Sequence, residues 1–209
     1  MSKRLVIGFV CVMMLALAAV AQAQDGVDAD YNRAMELLEK NPQAPQAAIP
    51  LLRASAQKGN LDAAYNLGVA LYTGIKTKEN QAEAMTWFKK AADAGNVKAT
   101  FNLATAYEES GAAVAPKALM ELYTQAAEGG ITQAMHRLGA LKVEHDKDLV
   151  AGMTWLILAD AYEDEDVKPD LAKAQDLATK TQRQQATDAA TRLRATLEGN
   201  PEFLNNMSL

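Results

Sequence analysis

The most constraining feature of this sequence is a pattern of small and apolar residues that recurs every 35 to 36 positions. The segment GNLDAAYNLGVALYTG (59–74) aligns with GNVKATFNLATAYEES (95–110), and a further shift of 35 aligns GITQAMHRLGALKVEH (130–145). Each copy has a glycine, an alanine four residues later and a leucine four residues after that. A period in the mid-thirties with helical spacing is typical of helix-turn-helix solenoids, so the pattern predicts an all-α fold.

A second pattern repeats between these segments. AMTWFKKAADAG (84–95) aligns with LMELYTQAAEGG (119–130) and more loosely with GMTWLILADAYE (152–163). Its aromatic and small residues fall on one face of a helix, which allows a neighbouring helix to approach closely. Trp87 and Trp155 share one position of this pattern, and we expect both to be largely buried.

Glycine and polar residues mark the predicted helix ends. Gly95 and Gly130 follow the last helical residue of their segments, where a left-handed C-cap favours glycine. Asn80 or Thr77 precedes the next apolar face and is expected to be the N-cap of that helix. Each repeat is therefore predicted to be a pair of helices whose core is completed by the next pair.

The first 23 residues differ from the rest of the chain. Two basic residues precede an apolar stretch (5–20), and Ala21 and Ala23 follow it with small-x-small spacing. These three parts predict a secretory signal peptide cleaved after Ala23. The alternative is a membrane anchor, but the 16 residues of the apolar stretch are fewer than a spanning helix needs. Cleavage would also remove Cys11, the only cysteine, so the mature chain would have no disulfide.

The regions outside the repeats are predicted to be helical caps. Residues 28–41 have the pattern of a leading helix, and Pro50 indicates that the following helix begins near Ala47, because proline is tolerated only in a first turn. Thr181 with Gln184 forms a capping-box pattern near the C-terminus. The predicted organisation is a signal peptide (1–23), an N-terminal capping helix (24–44), helical repeats (45–163), and C-terminal capping helices with a tail (164–209).

The net negative charge of the chain argues against negatively charged partners. Removing Lys3 and Arg4 with the signal peptide leaves 19 basic residues against 26 acidic ones, a net charge near −7. Nucleic acids and anionic membrane surfaces are bound by clustered basic residues, so neither is an expected partner. The expected location is the bacterial envelope, periplasmic or secreted, without membrane insertion after cleavage.

AAYNLGVALYTG followed by AEAMTWFKKAADAG resembles the Sel-one-like repeat family, relatives of the tetratricopeptide repeats. The family pattern is roughly A-x-x-x-L-G-x-x-Y-x-x-G, then A-x-x-W-[YF]-x-x-A-A-x-x-G, and the resemblance covers about residues 45–163. Leu71, Ala104 and Lys142 depart from the pattern. The resemblance implies a right-handed α/α superhelical solenoid of helix-turn-helix repeats, here with helical caps.

The resemblance also implies where a partner would bind. In arrays of this kind the helix with the L-G-x-x-Y pattern lines the concave face, and its residues before and after the leucine point toward the groove. An aromatic ladder there would suit an extended peptide, although rings at repeated positions often pack in the core instead. The predicted partner-binding residues, with Val143 extending their last row, are Tyr65, Val69, Tyr72, Phe101, Thr105, Glu108, His136 and Ala140.

No catalytic, cofactor or metal site is predicted. His136 aligns with Tyr65 and Phe101, so packing is its expected role. His145 lies among acidic residues without the ligand spacing of a metal site, and the acidic run 160–166 lacks a calcium-loop pattern. Nucleophile and phosphate-loop motifs are absent from the sequence.

Two functions from different classes remain. The first is a non-enzymatic scaffold that binds a peptide or protein segment of the cell envelope on its concave face. The second is an enzyme or accessory subunit that acts on cell-wall material, because some secreted relatives are linked to penicillin binding or hydrolysis. Those relatives have a cysteine pair in each repeat, and this chain has none after cleavage. The sequence therefore favours the scaffold.

Overall fold

The computed structural model describes residues 29–41, 45–74, 78–111 and 114–207, and these ranges contain helices and turns without any strand. The all-α prediction is therefore confirmed. The predicted signal peptide, its cleavage site and Thr77 lie outside the described residues. The α-helices are α1 (29–40), α2 (Ile49–Gln57), α3 (Leu61–Thr73), α4 (Lys78–Asp93), α5 (Val97–Ser110), α6 (Pro116–Glu128), α7 (Thr132–Leu141), α8 (Leu149–Ala161), α9 (Lys168–Leu177), α10 (Lys180–Glu198) and α11 (Pro201–Met207).

The chain divides into two compact units, and the first, Met1–Ala94, contains α1 to α4. α3 packs against both α2 and α4. Pro50 lies in the first turn of α2, close to the predicted start near Ala47. Gly68 on α3 lies against the ring of Phe88 on α4, which is 1% exposed. The aromatic ring fills space that is available because the facing residue has no side chain.

The second unit, Gly95–Leu209, contains α5 to α11. Consecutive helices α5, α6, α7 and α8 pack in pairs, and α10 also packs against α8. Seven of the 13 residues of α8 are buried, including Met153, Trp155 and Leu156, so this helix is apolar around most of its circumference. The C-terminal helices thus cover a face of α8 that would otherwise be exposed.

The turns between repeats use the same local chemistry each time. Gly59, Gly95 and Gly130 have φ angles of 105°, 92° and 96°, a left-handed conformation that L side chains rarely adopt. The next residue in the first two turns is an asparagine, and the side chains of Asn60 and Asn96 each accept a hydrogen bond of 2.8 Å from the backbone N–H three residues later. The glycine C-cap prediction is confirmed.

Two residues predicted as N-caps, Asn80 and Thr181, do not occupy that position, and Thr77, the alternative to Asn80, lies outside the described residues. α4 begins at Lys78, so Asn80 lies inside the first turn of the helix rather than at its N-cap. The C-terminal capping box occurs two residues earlier than predicted, because the N-cap of α10 is Thr179 and its N3 residue is Gln182. The sequence pattern thus predicted the capping box of α10 correctly but placed it two residues too late.

The prediction that both tryptophans are buried holds for only one of them. Trp155 is 7% exposed in the core of the second unit. Trp87 is half-buried, and its indole N–H donates a hydrogen bond of 3.1 Å to Glu83. The same carboxylate accepts three hydrogen bonds from Arg53 on α2, one from Nε and two from Nη2. Trp87 therefore lies in a partly exposed polar cluster that joins α2 to α4.

Candidate partner-binding surface

In the first unit, the predicted binding residues lie on α3 and are all half-buried. The rings of Tyr65 and Tyr72 are tilted against the ring of Phe88, with centroid distances of 6.4 and 6.2 Å. Val69 lies between them on the same helix. One side of each tyrosine thus packs in the repeat, and the rest of the ring reaches the surface.

In the second unit, α5 repeats this arrangement with a change in chemistry. The ring of Phe101 is tilted against that of Tyr123 on α6 at 6.1 Å. Tyr123 aligns with Phe88, and its hydroxyl donates a hydrogen bond of 2.7 Å to Glu108 Oε2. Burial, reinforced by this bond to Glu108, raises the pKa of Tyr123 well above its ordinary value. Thr105 is half-buried on the same helix.

His136 on α7 differs from the aromatic rings at its repeat position. Its Nε2 atom lies 2.9 Å from Asp170 Oδ2, and its Nδ1 atom lies 3.5 Å from Asp164 Oδ2. His136 is largely buried, as a packing role requires, and unlike the aromatic rings at its repeat position it also contacts two carboxylates. Its side chain is 14% exposed and joins α7 to two segments that follow the last repeat.

The two remaining predicted residues, Ala140 on α7 and Val143 on the π turn that follows it, lie at a cleft of about 220 Å³ in the second unit. Ala140 and Val143 are partly exposed apolar residues of the lining, Leu156 is fully buried, and Leu177 of α9, which also lines the cleft, is 62% exposed. Four charged side chains also line the cleft, and they are Glu144, Lys147, Asp170 and Lys173. This lining can accept an aliphatic side chain while polar groups remain at the rim. It contains no serine, threonine or cysteine that could act as a nucleophile.

Sequence reasoning missed several of these residues, and one of them had a visible signal. DADYN (28–32) resembles DAAYN (62–66), which places Tyr31 at the ladder position of an earlier repeat. Its hydroxyl accepts a hydrogen bond of 3.1 Å from Asn66 on α3. Tyr31 and Asn66 are 35 positions apart, and His136 and Asp170 are 34 apart. In both cases the ladder residue contacts a polar side chain roughly one repeat later.

The described ranges contain no cluster of three or more His, Cys, Asp or Glu side chains arranged to bind a metal ion. His145 is exposed in a π-helical turn, Lys142–Asp146, that extends α7. A second cavity of about 210 Å³ is lined mainly by acidic residues of the turn after α8. Among the described helices, none is long and apolar enough to cross a membrane.

A family model described as Sel1 repeat matches residues 13–40, 61–96 and 97–131. The second and third matched segments cover α3 to α6, with the turns between them. The first segment begins within the predicted signal peptide and ends with α1. No curated protein matches the chain.

Solved helical-repeat structures resemble this one. The crystal structure of c5321, a protective antigen of uropathogenic Escherichia coli strains with an SLR fold, has a TM-score of 0.75 at 23% identity. The match covers 90% of this chain but 42% of the antigen. A Sel1 repeat protein from Oxalobacter formigenes has a TM-score of 0.61 at 23% identity, covering 77% and 68% of the two chains.

A third structure, MamA from residue 41 to its end, comes from Desulfovibrio magneticus. Its TM-score is 0.54 at 17% identity, and the match covers 85% of this chain and 98% of that one. All three identities are low, so the likeness establishes a shared helical-repeat fold and not a shared partner.

Proposed function

This chain carries Sel1 repeats, and on that premise we propose that it is an exported, non-enzymatic scaffold that binds a protein segment of the cell envelope. Sel1 repeat proteins act as helical scaffolds for protein–protein interaction. The proposed binding surface in the second unit consists of the cleft and the ladder face. The ladder face is the side of α5 and α7 that carries Phe101, Thr105, Glu108, His136 and Ala140. The face of α3 with Tyr65 and Tyr72 is a further proposed contact surface in the first unit.

The observation that carries this proposal is the lining of the cleft. An apolar patch with an exposed leucine and a charged rim is suited to an aliphatic anchor residue of a bound segment. Half-buried rings on the ladder face would add contact area at little entropic cost, because packing already restricts them. We place the anchor of the partner in the cleft and its extended backbone along α5 and α7.

The experiment is site-specific photocrosslinking in intact bacteria. A photoreactive amino acid replaces Ala140 or Leu177 at the cleft, and Thr187, exposed on α10, is the matched control position. We expect one recurrent envelope protein to crosslink from the two cleft positions and not from the control. Equal crosslinking from all three positions, or none from the cleft, would contradict the proposed surface.

Two further measurements test the other parts of the proposal. Export predicts that the intact mass of the protein recovered from the envelope corresponds to a chain beginning at Gln24. A product that retains Met1 in the inner membrane would contradict export. The competing enzymatic function predicts turnover of cell-wall fragments, and hydrolysis that persists through repurification would replace the scaffold proposal.

A further inference from the structure

His136 is held between two carboxylates that come from different segments of the second unit. Asp170 lies on α9 and approaches the Nε2 atom at 2.9 Å. Asp164 lies in the turn after α8 and approaches the Nδ1 atom at 3.5 Å. The Asp164 side chain is 8% exposed, so this pair is largely removed from solvent.

The number of protons on the imidazole decides how many of these contacts can be hydrogen bonds. A neutral imidazole has one N–H, whereas the imidazolium has two. Asp164 Oδ1 accepts a bond from the backbone N–H of Asp166, but Oδ2 is buried without a hydrogen-bond partner in the described part of the chain. A buried carboxylate oxygen without a partner is costly. Only a protonated His136 can donate toward Asp164 and Asp170 together.

The charged groups on the elements around His136 are mostly acidic. The basic ones are Arg137, which lies 3.9 Å from Glu108, and the lysines of the surrounding elements. A proton gained by His136 therefore meets mainly negative charge. On α5, α6, α7, the π turn with the residue after it, α8, the turn after α8 and α9, the acidic groups are Glu108, Glu109, Glu121, Glu128, Glu144, Asp146, Asp160, Glu163, Asp164, Glu165, Asp166, Asp170 and Asp176. The basic or titratable nitrogen groups on the same elements are Lys98, Lys117, Arg137, Lys142, His145, Lys147, Lys168 and Lys173.

We propose that His136 is a proton-dependent clamp that attaches α9 to α7 and so controls the outer wall of the cleft. α9 contributes three of the residues that line the cleft, and Ala174 is its only buried residue. Leu171 is partly buried against the core, and Val167 and Ala178 at the two ends of the helix are buried, so the contact of Asp170 with His136 adds a polar attachment to these apolar ones. The imidazolium can donate to both carboxylates, whereas the neutral imidazole can donate to only one of them. Histidine is the side chain whose charge ordinarily changes between pH 5 and 8. The inference concerns regulation of the proposed binding surface and rests on that proposal.

The first test is a nuclear magnetic resonance titration of the two histidine rings in the full-length mature protein. His145 is exposed on the π turn and serves as an internal reference. Asp164→Asn keeps an oxygen that can accept the Asp166 N–H but removes the charge. We expect the variant to lower the titration midpoint of the His136 ring by about one pH unit and leave that of His145 unchanged. An unchanged His136 midpoint would overturn the clamp.

The second test follows the attachment of α9 directly by amide hydrogen exchange near pH 6 and near pH 8, corrected for intrinsic rates. We expect greater protection of α9 at the lower pH in the wild type, and no such difference in His136→Gln. Asp170→Asn is the second variant if His136→Gln does not fold. A pH difference that persists in the variants, or that is missing in the wild type, would refute the proposal. Neither test uses a partner, so failure of the clamp is distinguishable from failure of the scaffold.

Discussion

Replacing Gly68 with alanine should destabilise the first unit, although alanine normally strengthens a helix. An added Cβ would lie 2.6 Å from two ring carbons of Phe88, closer than nonbonded carbons approach. The ring is fully buried and contacts Tyr65 and Tyr72, so it has little freedom to move. Overpacking of this kind costs about 1–3 kcal/mol, and the gain in helix propensity offsets about 1 kcal/mol. We expect a net loss of up to about 2 kcal/mol.

A double-mutant cycle separates the clash from the propensity gain. Phe88→Leu removes the ring atoms that the new methyl group would meet, so Gly68→Ala should be stabilising by about 1 kcal/mol in that background. The free energy of unfolding of the four proteins, measured by urea titration with circular dichroism, gives the coupling energy. We expect about 1–3 kcal/mol of coupling. If Gly68→Ala stabilises the protein equally in both backgrounds, the ring moves aside and the reasoning is refuted.

The second repeat supplies a matched comparison. Ala104 aligns with Gly68 and is fully buried, so its methyl group already belongs to the core. Ala104→Gly should lose about 0.8 kcal/mol of apolar burial and about 1 kcal/mol of helix propensity. Gly68→Ala and Ala104→Gly are opposite substitutions at equivalent repeat positions, and each is expected to be destabilising.

Three other predictions follow from the packing of the aromatic residues. Trp155→Ala should lower the free energy of unfolding by about 3–5 kcal/mol in a denaturant titration. Trp87→Ala should lower it clearly less, because the side chain of Trp87 is half-buried. Equal losses would contradict the assigned burial. Burial raises the pKa of Tyr123, so its contribution to the free energy of unfolding is present below about pH 10 and is lost as the pH rises further. Tyr123→Phe should therefore reduce the loss of stability at alkaline pH. Identical stability profiles of the two proteins above about pH 10 would contradict this. If the ladder binds a partner, Tyr65→Ala with Phe101→Ala should weaken capture of the crosslinked protein by over ~1 kcal/mol beyond any loss of folded protein, and a loss of stability alone would identify both rings as core.

The repeats were predictable because their signals are local or periodic. Gly95 and Gly130 have the left-handed backbone that their positions indicated, and the regular spacing of alanine and leucine identified the buried faces. The C-terminal capping box was locally ambiguous, because Thr179 with Gln182 and Thr181 with Gln184 fit the same pattern. In the structure α10 begins directly after Thr179, and the first pair forms the capping box.

The candidate site was less predictable because its contacts join distant segments. Asp170 lies about one repeat length after His136, but it and Asp164 belong to a helix and a turn whose sequences do not match the repeat pattern, so the repeat alignment did not point to them. Repeat alignment placed His136 with aromatic rings, and that comparison could show its position but not its neighbours. Likewise, Trp87 and Trp155 share a repeat position but differ in burial, since α10 packs against α8 in the second unit.

The apolar circumference of α8 has a consequence for how the polypeptide is made. Repeat arrays commonly fold progressively from one end, since each unit needs only its neighbour. Here α8 is covered on one side by α10, which is synthesised later. A nascent chain that ends after α8 would therefore expose the apolar surface of this helix to other chains and to chaperones. Synthesis of α10 then becomes the step that allows the second unit to reach its folded state.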